Sequence, residues 1–154
     1  MNRVLERPIG RLLIGPVVAA VVVLSACGGG ASTAATSTTA NSHTITLSDF
    51  KIATDTTNFA PGSYTFTIKN DGPSQHELLI FRSNLQPAAF PTDASGDMQE
   101  DGAGVTKVSD GDNIDPGKTQ SRTVDLSQPG TYALVCNLPG HFKAGMYTTI
   151  TVTR

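Results

Sequence analysis

Apolar and polar residues alternate along four stretches of the chain: Thr44–Ser48, Ser63–Ile68, Arg122–Leu126 and Thr148–Val152. A period of two, built from β-branched and aromatic residues, predicts strands with one face turned to a core. Turn signals punctuate them at Pro61-Gly62, Asp71-Gly72-Pro73, Asp115-Pro116-Gly117 and Pro129-Gly130. No window of eleven residues keeps a helical period, although 94–104 has room for a turn or two. Short strands with frequent turns predict an all-β sandwich or barrel, without internal repeat. The 112 residues from His43 to Arg154 are enough for one independent core.

Two regions depart from the alternation. The first is an uncharged apolar run from Leu12 to Leu24, preceded by Arg3, Arg7 and Arg11 and followed by Leu24-Ser25-Ala26-Cys27. A basic start, a short apolar stretch and small residues before a cut predict a secretory signal peptide over residues 1–26. A membrane-spanning helix needs about 20 apolar residues; this run is shorter and is broken by Gly15-Pro16. Leu-Ser-Ala-Cys resembles the bacterial lipobox, which implies that Cys27 is lipidated and becomes the first residue of the mature chain. Residues 28–42, GGGASTAATSTTANS, then offer nothing to bury. The lipidated Cys27 and this stretch are expected to form a flexible tether, 27–42, spanning on the order of 20 Å. The second region is 85–115, with seven acidic residues (Asp93, Asp97, Glu100, Asp101, Asp110, Asp112 and Asp115) against Lys107. It reads as a solvated insertion more readily than as an acidic docking surface for a basic redox partner.

Charge sharpens this organisation. The whole chain has a formal net charge of −2. Removal of residues 1–26 takes away three Arg and one Glu and leaves eight basic against twelve acidic residues, a net of −4. No basic face remains for nucleic acid. A charged fraction of 16% excludes a coiled coil, and two cysteines are too few for a disulfide scaffold.

With Cys27 assigned to lipid, Cys136 is the remaining thiol, in a compartment where thiols usually pair. It opens the spacing Cys136-x4-His141-x4-Met146. Tyr132, Leu134 and Cys136 share one strand face, so the thiol points the way the core residues point. Met146 shares its parity with Ile150 and Val152, and Gly140 and Gly145 allow the connecting loop to turn sharply. Thiolate, imidazole and thioether form a soft, mixed set that suits copper. A second imidazole must come from His43 or His76. His43 adjoins the tether and is expected to be exposed and silent. His76 is expected to start a strand, pointing inward with Leu78 and Ile80.

His76 followed some 60 residues later by C-x4-H-x4-M is similar to the pattern of the blue, or type 1, copper proteins, the cupredoxins. The loop lengths are those of rusticyanin- and auracyanin-like members; plastocyanin and azurin each have one shorter gap. The resemblance implies a single-domain Greek-key β-sandwich over 43–154, binding one Cu(I)/Cu(II) ion at one end. It implies a trigonal set of His76, Cys136 and His141 with Met146 as the weak axial ligand. It also implies an apolar partner-facing patch beside His141, formed by Leu138, Pro139 and Phe142. Glu77 departs from the pattern, since several members carry Asn or Ser there to pin the ligand loops.

The implied activity is single-electron transfer rather than catalysis, because the ligand set leaves no open coordination position for substrate. The implied partners are a redox donor and acceptor, of cytochrome or membrane-oxidase type. The protein is expected to be a monomer, lipid-anchored on the extracytoplasmic face of a membrane, on the periplasmic side or at the cell surface. Copper storage or delivery by the same fold is the alternative, but it would favour open methionine or histidine clusters. An oxidase or nitrite reductase needs further histidine-rich centres, which three histidines cannot build. A metal-free adhesion module is a third reading. Zinc could occupy the same ligands, so metal content by itself does not distinguish these readings.

Overall fold

The computed structural model describes residues 41–154. The expected signal peptide 1–26, Cys27 and the tether as far as residue 40 lie outside them. Among the described residues nine strands form: β1 Ser42–Ser48, β2 Lys51–Thr54, β3 Asn58–Phe59, β4 Ser63–Asn70, β5 Leu79–Ser83, β6 Val105–Ser109, β7 Thr119–Asp125, β8 Gly130–Val135 and β9 Tyr147–Val152. They build two sheets, ordered β2-β1-β4-β7 and β3-β9-β8-β5-β6. The pairs β1/β4 and β3/β9 are parallel and the other pairs antiparallel. This is the predicted all-β sandwich, and each of the four alternating stretches lies at least largely within a strand.

The alternation works as expected on the four-stranded sheet. Ile45 and Leu47 of β1, Phe66 and Ile68 of β4 and Val124 of β7 turn inward and are buried. They meet Ile80, Tyr132, Leu134 and Ile150 of the facing sheet and Leu78, Cys136 and Met146 from the segments flanking its strands. Arg122 pairs in register with Phe66 and therefore also faces inward, on an edge strand. It donates to the Leu78 carbonyl (2.8 Å) and to Ser109 Oγ (3.2 Å), joining the two sheets at that edge. An inward charge there also discourages pairing with another chain.

The five-stranded sheet is buried on both faces. Leu79, Phe81, Ala133 and Val135 form a second apolar cluster with Phe90, Met98 and Phe142. Phe90 and Met98 come from the 85–115 region, which corrects its reading as a solvated insertion: its inner side covers this sheet. A 3-10 turn at Pro87–Ala89 and strand β6 lie within the same region.

The N-terminal boundary also shifts. Strand β1 begins at Ser42, inside the expected tether, and the Asn41 side chain donates to the Ser63 carbonyl at 3.0 Å. His43 is not silent. Its ring is half-buried edge-on to Phe59, with centroids 4.9 Å apart, and Nδ1 meets Asp55 Oδ1 at 3.0 Å. It takes no part in the metal-binding cluster described next.

Candidate metal centre

Asn70, the last residue of β4, organises the loop that delivers the first donor. It is fully buried, and its Oδ1 accepts from the Gly72 N–H (2.9 Å). Its Nδ2 donates to the carbonyls of Ser74 (2.8 Å) and Ile114 (2.7 Å). The Ile114 carbonyl also receives the His76 N–H at 3.1 Å, so one acceptor ties both residues down. His76 lies in this isolated bridge to Ile114, three residues before β5, instead of starting the strand. Its inward orientation is as expected, and the side chain is fully buried.

Cys136 directly follows β8, is buried and, among the described residues, forms no disulfide. Its N–H donates to the Met146 carbonyl (3.1 Å), and the Met146 N–H donates to the His141 carbonyl (3.0 Å). These bonds close the 136–146 loop onto itself. Gly140 and Gly145 stand at φ +81° and +91°, where a side chain would be strained. Met146 is fully buried in the same core cluster as Cys136.

The donors converge. His141 Nδ1 lies 3.3 Å from Cys136 Sγ and 3.3 Å from His76 Nδ1, and His76 Nδ1 lies 4.0 Å from the sulfur. Three ligands at about 2.0–2.3 Å from a shared ion in a plane would stand roughly 3.5–3.8 Å apart. The observed separations bracket that spacing. Two imidazole nitrogens and a thiol turned toward one point can share a cation between them, and this set suits copper.

Local electrostatics agree. Burial pushes the His76 pKa down, repulsion from His141 adds to this, and Asp49 opposes it. The ring is thereby favoured in the neutral form that a metal requires. Burial pushes the Cys136 thiol up, against the Glu77 and Leu138 N–H groups aimed at the sulfur. A coordinated cation removes that proton outright.

Residues outside the donor set tie the ligand loops together. Glu77 keeps the pinning role despite its change of chemistry. Its N–H points at Cys136 Sγ (3.5 Å), and its carboxylate accepts from the Asn137 N–H (3.0 Å). Burial raises the Glu77 pKa, with the Asn137 N–H opposing. Asn137 in turn exchanges hydrogen bonds with the Met98 backbone (2.7 and 2.9 Å), and Asp97 accepts from the Gly140 N–H (2.7 Å). The acidic region therefore grips the ligand loop.

The expected patch needs one correction. Leu138 is half-buried and Pro139 exposed, but Phe142 is only 5% exposed and stacks on Phe90. The second cluster claims it. Its place beside His141 is taken by Phe50, which is 53% exposed with its ring edge-on to the His141 ring, centroids 5.5 Å apart. Nothing in the sequence near position 50 signals this, because β1 and β2 bring it there from 91 residues away.

Fold and donor set together define a mononuclear copper protein. The chain belongs to the family of copper binding proteins of plastocyanin/azurin type, which matches residues 39–153. Auracyanin-B of Chloroflexus aurantiacus is 45% identical over 40 residues, 26% of this chain. The matched part spans only 17% of that relative's length. Among solved structures, reduced auracyanin from Roseiflexus castenholzii superposes with a TM-score of 0.54 at 22% identity, covering 74% of this chain and 98% of the other. Auracyanin B gives 0.51 at 22% identity, with coverages of 73% and 88%. At these identities the structural likeness establishes the cupredoxin fold. Copper is the cofactor; His76, Cys136 and His141 bring together the donor atoms that would hold it, and Met146 is buried in the same cluster as the thiol.

Proposed function

We propose that the protein is a one-electron carrier, working between a redox donor and acceptor of cytochrome or membrane-oxidase type. The observation that carries this reading is the unequal burial of the donors. His76, Cys136 and Met146 are fully buried, while His141 is partly exposed beside Phe50, Leu138 and Pro139. Copper held there supplies exchange between its +1 and +2 states. The two-sheet framework fixes the donors, the core excludes water, and the His141 edge gives the shortest way out for an electron. An apolar rim of a few residues suits a brief redox encounter, which buries little surface.

Delivery of copper is the weaker reading. Among the described residues the methionine outside the site, Met98, is buried in the second cluster and offers no entry point for metal.

The membrane anchor belongs to the same proposal. No helix among the described residues is long and apolar enough to cross a membrane. Attachment through lipidated Cys27 would hold a monomer on the extracytoplasmic face. Labelled palmitate should enter the wild-type chain and not Cys27→Ala, and the variant should leave the membrane fraction. For the carrier role, copper-loaded protein should exchange electrons rapidly with a soluble c-type cytochrome, and Pro139→Glu should slow the exchange without altering the visible spectrum. Equal rates for both forms would remove the His141 face from the electron path.

A further inference from the structure

The turn Asp49-Phe50 joins β1 to β2 as a two-residue hairpin loop, with Ser48 paired to Lys51. It touches both histidine ligands. Asp49 Oδ1 lies 3.2 Å from His76 Nε2, the ring nitrogen facing away from the donor cluster, and Phe50 covers the edge of His141.

The contact with His76 is built from several sides. Ser74 Oγ donates to the other Asp49 oxygen (3.3 Å), and the Asp71 N–H donates to the Leu47 carbonyl (2.9 Å), tying the His76 loop to β1. Gly72 leaves the necessary space: a Cβ there would stand 2.9 Å from His76 Nε2 and 3.1 Å from Asp49 Oδ1. Phe50 holds a left-handed backbone (φ +59°), costing about 1–3 kcal/mol in a residue with a side chain. Strain of that kind persists where surrounding contacts over-determine the geometry.

We propose that Asp49 is a positioning residue that sets the copper potential through His76. A carboxylate on the outer nitrogen of a ligand imidazole fixes its tautomer and ring orientation and strengthens it as a donor. With Nε2–H donated to Asp49, Nδ1 is left unprotonated and aimed at Cys136 and His141. The carboxylate charge also favours the +2 over the +1 ion. Asp49 thus lowers the reduction potential. This inference rests on the copper reading of the site, but its first consequence needs no metal.

The test compares wild type with Asp49→Asn, Asp49→Ala and a charge control, Asp115→Asn. Asp115 is exposed and accepts from the Gln75 side chain, and its carboxylate makes no hydrogen bond to a donor residue. Nitrogen NMR of the copper-free protein should find His76 in the Nε2–H tautomer, lost or mixed in Asp49→Ala. In copper-loaded protein, Asp49→Asn should weaken Cu(II) binding about tenfold more than Cu(I) binding, a rise of about 59 mV in potential. Asp115→Asn should leave the potential unchanged. A wild-type His76 protonated on Nδ1, or an Asp49→Asn shift no larger than that of Asp115→Asn, would overturn the role of Asp49. Absence of copper binding in every variant, with the tautomer as stated, would overturn the copper reading alone.

Discussion

Replacement of Phe142 by Ala separates two accounts of the ligand loop. If Phe142 belongs to the second cluster, its loss removes a buried ring packed among Leu79, Phe81, Phe90, Met98, Ala133 and Val135. The ring lies parallel to Phe90 (6.4 Å between centroids, 8° between planes) and tilts against Tyr147 at 5.3 Å. Truncation of such a residue costs about 3–5 kcal/mol, because the cavity collapses incompletely. The lost aromatic pairs place it in the upper part of that range. For a domain of this size the melting temperature should fall on the order of 10–20 °C. The assay is urea unfolding of copper-free, reduced protein followed by circular dichroism, since bound metal would add its own stabilisation. A surface contact residue would instead change stability by less than about 0.5 kcal/mol and reduce electron exchange. That outcome would refute the assignment of Phe142 to the second cluster.

Asn70→Ala removes three side-chain hydrogen bonds from the His76 loop and should cost about 2–4 kcal/mol in urea unfolding; a loss below about 0.5 kcal/mol would contradict its organising role. Met146→Leu keeps the volume but removes the axial thioether, so the blue colour should persist while the potential rises; an unchanged potential by voltammetry would remove Met146 from the ligand set. Bonding to Ser95 holds the Asp93 carboxyl below its ordinary pKa, and Lys107 does the same for Asp110. Folded-state values below the unfolded ones stabilise the domain above the ordinary carboxylate range, near pH 4, and that contribution drains away as pH falls through the folded values. Carboxyl NMR titrations should give depressed midpoints for both, and ordinary ones would contradict the bonding.

Local chemistry was legible where it repeats or clusters. The period of two announced β1, β4, β7 and β9, and Cys136, His141 and Met146 lie close enough in sequence to advertise a site. Phe142 was misplaced because a residue between His141 and Gly145 looks like loop. The signal against that reading was the unbroken apolar run in Leu78–Phe81 and Tyr132–Cys136, which marks strands buried on both faces. A second apolar layer was therefore required, and Phe90, Met98 and Phe142 were available to build it. Asp49 and Phe50 carried no such signal. Their role depends on a β1–β2 turn meeting loops 27 and 91 residues further along, a relation set by topology alone. Glu77 departs from the pattern in residue type but not in function, since its acceptor oxygen takes the Asn137 N–H.

Titration of reduced, copper-free protein with Cu(II), followed by visible absorption, tests the central claim most directly. One equivalent should produce an intense thiolate-to-copper charge-transfer band that saturates at one ion per chain and is absent in Cys136→Ala. A folded protein with a free Cys136 thiol that takes up no copper, or binds it without that band, would contradict the type 1 site.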